Sequence, residues 1–569
     1  MHNLIQFALL GLGLGGAYAL LAIGVVTIYR GTGVPNFAQG AVAMFSAFMF
    51  FTFRDDREWS TWPALVAAVL FGAALGVGFH FLVMRRLRTS PILARIVATL
   101  ALLTLLQGLA LLWFDIRTAT PATVLPQKLV NIGSYAVVSD RLWLAAIAIV
   151  IGVALTLLSR YTKFGLAVQA IAENEKGAQL QGYSPNLLGA ITWGLGCALA
   201  AVAGVLVSPI SGLDANALTL LVVPVFGAAL IARFSSYLLA IVAAFGIGAV
   251  QSIMQGYAQA GEWWEFVWKG PGRAEAFPAL VIIVAMMLSG RLIPSRGAVS
   301  LGRMPLSPYP RHLTRLTVIA GGATLALLLL LSRSWVTSLT TTLISAIIAL
   351  SLVVVTGFAG QISLGQMAFA GLAGLLTSRL ATDLGLPFPL PVLVSGIVAA
   401  LLGVLIGLPS LRIRGPSLAI VTLSAAWVMQ RVIFQDTDLV GDGGFARVPQ
   451  PSLFGWDLDF RAFGVFTLVV FIVLALMVSN LRRSRTGRRF LTVRENERAA
   501  GAAGVAVAKV KLQAFAISAF IAGVGGSLIA YQSRVFAFER FTVFESLFLI
   551  VSAPLPAARR ARARRAPSR

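Results

Sequence analysis

"LIQFALLGLGLGGAYALLAIGVVTI", residues 4–28, is a run of 25 residues that contains no charged side chain. About 20 such residues are enough for an α-helix to cross the hydrocarbon core of a bilayer. Comparable runs recur along the chain, for example at 144–159. Their Leu, Ala, Gly and Val content suits helices that pack closely in lipid, and the sequence lacks the alternating pattern of a membrane β-barrel. The sequence therefore predicts an all-α polytopic membrane protein.

The composition supports the same class. Of the 569 residues, 58% are hydrophobic and 12% are charged, and the mean hydropathy is +0.87. A soluble domain has roughly 45–50% apolar and about 25% charged residues. The net charge of +24 does not indicate a nucleic acid partner, because the cations lie in short loops between apolar runs, as they do on the cytoplasmic side of membrane proteins. We expect the lipid bilayer as the partner and no nucleic acid.

The basic loops set the expected topology. Loops around 85–95, 160–163 and 482–489 are rich in these cations and are predicted to be cytoplasmic. The chain is expected to cross the membrane about 16–17 times, in a first membrane domain at 1–290 and a second at 316–553. The segment 291–315 holds five Arg and no acidic residue, and it is predicted to be a cytoplasmic linker.

The end of the chain departs from this pattern. Residues 554–569 form an Arg-rich tail with six Arg, which cannot enter lipid because a central Arg costs about 2.5 kcal/mol or more. The second domain is therefore expected to lack the closing helices that the first domain has. Two interpretations stay open: a basic element on the cytoplasmic leaflet, or a chain that is truncated or read out of frame.

Two charged segments interrupt the apolar sequence and repeat each other. They are "IAENEKGAQLQGYS" (171–184) and "VRENERAAGAAGVA" (493–506), named here the first and second ENE segments. A shift of 322 residues places Gly165, Glu173, Asn174, Glu175, Ala178 and Gly182 on Gly487, Glu495, Asn496, Glu497, Ala500 and Gly504. Since both segments are predicted to be cytoplasmic, the two domains are expected to be parallel repeats, as in some transporters.

A second match lies near the start of each domain. "GVPNFAQGAVAMF" (33–45) aligns with "GQISLGQMAFAGL" (360–372) at a shift of 327 residues. The polar residues of these stretches, Asn36, Gln39, Ser363 and Gln366, follow a glycine-rich break at membrane depth. Broken helices can expose backbone groups to a polar substrate, and buried polar side chains can also join helices. Both interpretations, a translocation pathway and a polar clasp, stay open.

The ENE segments have two interpretations as well. Their charged residues are too costly to place in lipid. The pattern Glu-Asn-Glu followed by a glycine fits a short amphipathic helix with a glycine cap. Each could be a solvated connection between helices. The recurrence at matching places favours a helix that a partner binds in the same way in both domains.

On these motifs the chain resembles the two permease subunit types of branched-chain amino acid ABC transporters, fused in one polypeptide. Residues 15–48 with the first ENE segment are similar to one type, and 349–374 with 493–530 are similar to the other. The resemblance implies that the ENE segments are coupling helices that insert into grooves of two cytoplasmic ATPase subunits. It assigns this coupling to Glu173, Asn174, Glu175, Gly182, Glu495, Asn496, Glu497 and Gly504. It also implies an external substrate-binding protein and a multi-pass location in the bacterial plasma (inner) membrane.

The residues agree with this division of labour. The sequence has no Gly-Lys pair and therefore no P-loop, so ATP is expected to bind to the partner subunits and this chain to need no cofactor of its own. Its three His are scattered and indicate no metal site. With no catalytic cluster, the chain is expected to be a permease and not an enzyme.

The substrate and the energy source have alternatives. Branched-chain amino acids are the expected substrates, and similar permeases for urea, short amides or small carboxylates are the alternative. A secondary transporter or channel that needs no ATPase is a further alternative. It would require ionisable residues inside the membrane, of which the sequence shows few.

Overall fold

A computed structural model describes residues 2–88, 90–114, 121, 123–258, 272–289, 313–413, 415–441, 445–453 and 455–552. The chain divides into two compact units, Met1–Gly302 and Arg303–Arg569. Apart from residues 313–315, the predicted linker lies outside the described residues, as does the Arg-rich tail.

The first unit consists of helices of very unequal length. They are α1 His2–Thr32, α2 Gln39–Phe51, α3 Thr61–Phe79, α4 Ile92–Trp113, α5 Ser139–Tyr161, α6 Lys163–Glu173, α7 Glu175–Leu180, α8 Pro185–Ser211, α9 Ala215–Leu220, α10 Val222–Ile231, α11 Tyr237–Ala258 and α12 Gly272–Ser289. A hairpin of β1 (Leu129–Ile132) and β2 (Tyr135–Val138) precedes α5. Short π-helical stretches, Thr52–Asp56 and His80–Met84, extend α2 and α3.

The second unit follows a similar order over much of its length. Its helices are α13 Leu313–Leu330, α14 Arg333–Leu352, α15 Gln366–Thr382, α16 Leu390–Gly407, α17 Pro416–Val428, α18 Thr437–Val440, α19 Phe460–Arg483, α20 Arg485–Glu495, α21 Glu497–Ala502, α22 Val507–Ser533 and α23 Val543–Ser552. Strand β3 (Phe445–Arg447) pairs with β6 (Val535–Ala537), and β4 (Ser452–Leu453) pairs with β5 (Trp456–Asp457). π-Helical stretches extend α14 to Phe358 and α17 to Ile433, and 3-10 turns cover Leu408–Leu411 and Phe538–Phe541.

The predicted class, an all-α polytopic membrane protein, is confirmed. In the described part, ten helices are long and apolar enough to span a membrane, and three shorter apolar helices accompany them. The expectation of 16–17 segments is higher than this number, and several apolar runs form shorter helices, such as Ala215–Ile231 and Ser417–Ile433. The short β-strands lie in connections that the apolar pattern did not predict.

One long helix with small residues lies at the centre of each unit. In the first unit α8 packs against α1, α2 and α3, and in the second α22 packs against α14, α15 and α16. A Cβ atom at Gly204 of α8 would collide with the carbonyl oxygen of Ala43, and one at Gly526 of α22 would collide with that of Ala370. Glycines therefore let these backbones touch.

The same close approaches recur at equivalent positions. A Cβ at Gly76 of α3 would meet the carbonyl oxygen of Trp193, and a Cβ at Gly403 of α16 would lie 2.9 Å from that of Phe515. These pairs are related by the shifts of 327 and 322 found in the sequence. The repeat therefore extends from the motifs into the packing of the helices.

Candidate functional site

Each ENE segment is a pair of short helices, not the single helix that the sequence suggested. In the first segment α6 ends at Glu173 and α7 begins at Glu175. Asn174 lies between them with extended backbone, and its Oδ1 accepts a hydrogen bond from the Gly177 amide at 3.0 Å. Asparagine is among the preferred residues for this capping position because its side chain satisfies an amide that the helix leaves free.

The predicted glycine cap is present. Gly182 has a φ of +86°. Its amide donates to the Gln179 carbonyl and the Tyr183 amide donates to the Ala178 carbonyl, both at 3.0 Å. This pair of bonds is the Schellman motif, which satisfies carbonyls at a helix end and favours glycine in the left-handed conformation.

The second ENE segment has the same geometry. Asn496 separates α20 from α21, and its Oδ1 accepts from the amides of Arg498 and Ala499 at 3.0 and 3.1 Å. Gly504 has a φ of +79° and carries the same two terminal bonds as Gly182. Because the caps are local, the matching sequences give matching structures in both units.

The helix that leads into each segment also begins alike. Thr162 caps α6 through the Gly165 amide, and Ser484 caps α20 through the Gly487 amide at 3.1 Å. Thr162 and Ser484 are related by the shift of 322 residues, which is the signal that could have identified them in the sequence.

The ENE residues divide into outward and inward positions. Glu173, Asn174, Glu495 and Asn496 are exposed, whereas Ala178 and Ala500 are buried. The second Glu of each segment is half-buried and forms an ion pair: Glu175 with Arg88, and Glu497 with Lys511. Leu180, at the end of α7, has 91% of its surface exposed. The exposed face thus combines acidic residues with an apolar side chain.

The second ENE segment also contacts the break that precedes α15. Arg494, the residue before Glu495, donates a hydrogen bond of 2.5 Å to the carbonyl of Gly357. A Cβ atom at Gly360 would lie 2.8 Å from Arg494 Cγ, so a side chain there would collide with Arg494. Gly360 also has a φ of +67°, in the left-handed region that favours glycine. Desolvation lowers the pKa of the Arg494 guanidinium.

The candidate pathway residues of the first unit are fully buried and bonded to one another. Asn36 Nδ2 donates to Gln39 Oε1 at 2.9 Å, and Gln39 Nε2 donates to the Gly196 carbonyl of α8 at 2.8 Å. A Cβ at Gly24 of α1 would collide with the Gln39 amide. Gln39 therefore fills the crossing of α1, α2 and α8.

Equivalent residues of the second unit make an equivalent network. Gln366 Oε1 accepts from the hydroxyls of Ser351 and Ser518 at 2.8 and 3.2 Å, and Gln366 Nε2 donates to Ser363 Oγ at 3.1 Å. Ser351 and Ser518 are the counterparts of Gly24 and Gly196 at shifts of 327 and 322. The serines supply the polar contacts that backbone groups supply in the first unit.

The amides freed by the second break are bonded as well. The Leu364 amide donates to Thr422 Oγ1 at 2.9 Å, and the Met367 amide donates to Ser546 Oγ at 2.8 Å. The hydroxyls come from α17 and α23. Gln39 and Gln366 bond to other helices, and Asn36 and Ser363 bond to these two glutamines. Whether the four residues form a pathway or a polar clasp stays a prediction. The sequence motifs do not include Ser351, Ser518, Thr422 or Ser546. The repeat shifts relate Ser351 and Ser518 to Gly24 and Gly196 of the first unit.

Within the described residues, no group of three or more His, Cys, Asp or Glu could hold a metal ion. Cys197 is a buried free thiol on α8. The asparagine and glutamine side chains of these motifs are bonded to protein groups.

Comparison with known proteins identifies similar sequences in both units. The family model described as "Branched-chain amino acid transport system / permease component" matches residues 7–288 and again 334–556. The two matches correspond to the two repeats that the sequence shows. No solved structure matches the chain.

Individual relatives carry related descriptions. The high-affinity branched-chain amino acid transport system permease protein LivM of Salmonella typhimurium is 34% identical over 246 residues, which cover 39% of this chain and 58% of LivM. LivH of the same organism, described in the same words, is 30% identical over 216 residues, or 36% of this chain and 70% of LivH. A probable LivH of Methanocaldococcus jannaschii is 27% identical over 245 residues, or 42% of this chain and 77% of the relative.

Proposed function

The chain belongs to the family of branched-chain amino acid transport permease components and holds two copies of the family's domain, and from this premise we propose that it forms the membrane-spanning permease of an ATP-driven importer. The multi-pass helical structure agrees with such a role. We place it in the bacterial plasma membrane, where its bacterial relatives suggest that it works.

The two ENE segments carry the proposal. Each is a helix pair fixed by an asparagine cap and a glycine terminus, and each exposes the first Glu of its motif. A solvated connection needs neither the same caps nor the same exposure twice. A pair of equivalent rigid surfaces suits two equivalent partners, which we propose to be ATPase subunits that bind and hydrolyse ATP.

The position of the charged residues supports this proposal over a secondary transporter. Among the described residues, the buried Asp, Arg and Lys side chains are Asp140, Arg482 and Lys511. Each lies in the first two or the last two turns of its helix. Ion-coupled transport usually relies on ionisable residues deeper in the membrane, and this part of the chain buries none there.

We propose branched-chain amino acids as the substrates, delivered by an external binding protein, because the printed descriptions of LivM and LivH name them. Urea, short amides or small carboxylates remain the alternative substrates. Binding measurements on the external protein encoded beside this chain would distinguish them.

The docking role is tested by reversing the exposed charges. The double variant Glu173→Arg with Glu495→Arg should lose ATPase binding and uptake while it accumulates normally in the membrane. Reversal of a docking charge against a complementary surface typically costs several kcal/mol. The matched control is Asp56→Arg with Asp457→Arg, which makes the same change of charge at two other exposed positions, one in each unit.

Co-purification of the ATPase and uptake into membrane vesicles provide the readouts. The control variant should behave as the unmodified chain. Normal ATPase binding and normal uptake by the Glu173→Arg, Glu495→Arg variant would show that the ENE segments do not dock the ATPase.

A further inference from the structure

The second Glu of the second ENE segment faces away from the surface proposed to meet the ATPase. Glu497 Oε1 lies 2.8 Å from Lys511 Nζ, and the two side chains are 14% and 1% exposed. Lys511 Nζ also donates to the Ser410 carbonyl at 2.9 Å. One buried ammonium group therefore joins three elements: α21, the first turns of α22, and the turn that follows α16.

The first ENE segment makes the equivalent junction with a different cation. Glu175 of α7 pairs with Arg88, whose guanidinium also donates to Asn186 Oδ1 at 3.3 Å. Arg88 lies in the turn that follows α3, and Asn186 lies in the first turn of α8. Equivalent elements are joined in both units. They are the second ENE helix (α7 or α21), the start of the central helix (α8 or α22), and the turn that follows α3 or its counterpart α16.

The cation itself has changed element between the units. The counterpart of Lys511 in the first unit, at the shift of 322, is Gly189. The cation of the described ion pair lies on α22 in the second unit and in the turn after α3 in the first. The glutamates and the joined elements are the same in both units.

From this junction we infer that Glu175 and Glu497 are positioning residues that tether each ENE segment to its membrane domain. The inference rests on the proposed function, and it assigns different roles to the two Glu residues of each ENE segment. The first Glu faces the ATPase, and the second Glu transmits movement of the segment to the start of α8 or α22. A fixed ion pair suits this task because it resists both separation and rotation of the short helix. An ion pair that has lost one partner leaves a charge in a low-dielectric site.

The experiment compares neighbouring carboxylates in the reconstituted complex of permease, ATPase and external binding protein. Glu497→Gln keeps the side-chain shape and removes the charge that faces Lys511. We expect its affinity for the ATPase to stay within about twofold of the unmodified chain and ATP hydrolysis to continue. Uptake of substrate per ATP hydrolysed should fall at least about tenfold. Glu495→Gln is the matched control, and it should weaken ATPase binding while the complexes that form keep their normal uptake per ATP.

Charge exchange in the first segment provides a rescue. Arg88→Glu and Glu175→Arg should each lower uptake per ATP, and the double variant should restore it because the pair is re-formed with reversed polarity. These side chains are 31% and 44% exposed, so the exchange tests the tether even if Glu497→Gln fails to accumulate in the membrane. A residue that only stabilised the fold would change the amount of assembled protein, not the uptake per ATP of assembled complexes.

Two results would overturn the inference. One is an unchanged uptake per ATP in Glu497→Gln and in both single variants of the first segment. The other is a loss of uptake that follows ATPase dissociation, which would make Glu497 a docking residue. Failure of the docking proposal itself is recognised separately, since Glu495→Gln would then leave ATPase binding unchanged.

Discussion

Substitution of Gly526 by Ala tests the close packing at the centre of the second unit. The added Cβ would point at the backbone of Ala370, with the carbonyl oxygen nearest and the carbonyl carbon and Cα just behind it. A backbone atom cannot swing aside as a side chain can. Helices α22 and α15 would have to separate by about 1 Å or more to reach the 3.3–3.6 Å at which Cα–H···O contacts form between helices.

The matched control is Gly322→Ala in α13 of the same unit. A Cβ at Gly322 would meet no atom within 4 Å. Both substitutions gain the same helix propensity, which is about 1 kcal/mol for Ala over Gly in a helix interior. The difference between the two variants therefore isolates the packing cost, for which overpacked interiors give about 1–3 kcal/mol.

The assay is thermal unfolding of the intact chain in detergent micelles. For a unit of this size, each kcal/mol shifts the Tm by about 2–4 °C. We expect Gly322→Ala to unfold at or slightly above the temperature of the unmodified chain, and Gly526→Ala to unfold several degrees below its control. The same comparison in the first unit pairs Gly204→Ala with Gly246→Ala, whose added Cβ also meets nothing within 4 Å.

Equal unfolding temperatures for Gly526→Ala and Gly322→Ala would refute the reasoning. That result would mean that α22 and α15 are free to separate without loss, and that glycine at this position does not serve close approach. A higher temperature for Gly526→Ala would refute it more strongly, since helix propensity would then outweigh the contact.

Three further outcomes are expected. Gln39→Leu should destabilise the protein by about 1 kcal/mol and Gln366→Leu by about 2 kcal/mol, measured by denaturant unfolding in micelles. Gln39 loses two hydrogen bonds and Gln366 loses three, each worth roughly 0.6 kcal/mol in a membrane protein. Unchanged stability with altered substrate affinity would favour the pathway role instead. Asn496→Ala should cost about 1 kcal/mol of local stability through loss of the cap, seen as faster hydrogen exchange in α21, and equal exchange would argue against a formed cap. Separate expression of the two domains, split within 291–315, should give polypeptides that assemble and transport; two stable halves that do not assemble would count against the two-domain interpretation.

Local sequence determined much of the candidate site. The caps at Asn174 and Asn496 and the glycine termini at Gly182 and Gly504 depend on residues a few positions apart, so the repeated motif gave repeated structure. The sequence did not predict the split of each segment into two helices, because a Glu-Asn-Glu pattern is also compatible with a continuous helix. The structure shows that the asparagine side chain caps the second helix.

The sequence by itself also determined the class of the protein and its internal duplication, because bilayer solvent imposes long apolar runs that are visible without any contact information. Tertiary structure alone decided which face of each motif is buried. Glu175 and Glu497 were indistinguishable from Glu173 and Glu495 in the sequence, since the cations that hold them, Arg88 and Lys511, come from distant and unrelated positions. The partners of Gln39 and Gln366 likewise depend on how three helices cross, and a crossing is a property of packing that no local pattern contains.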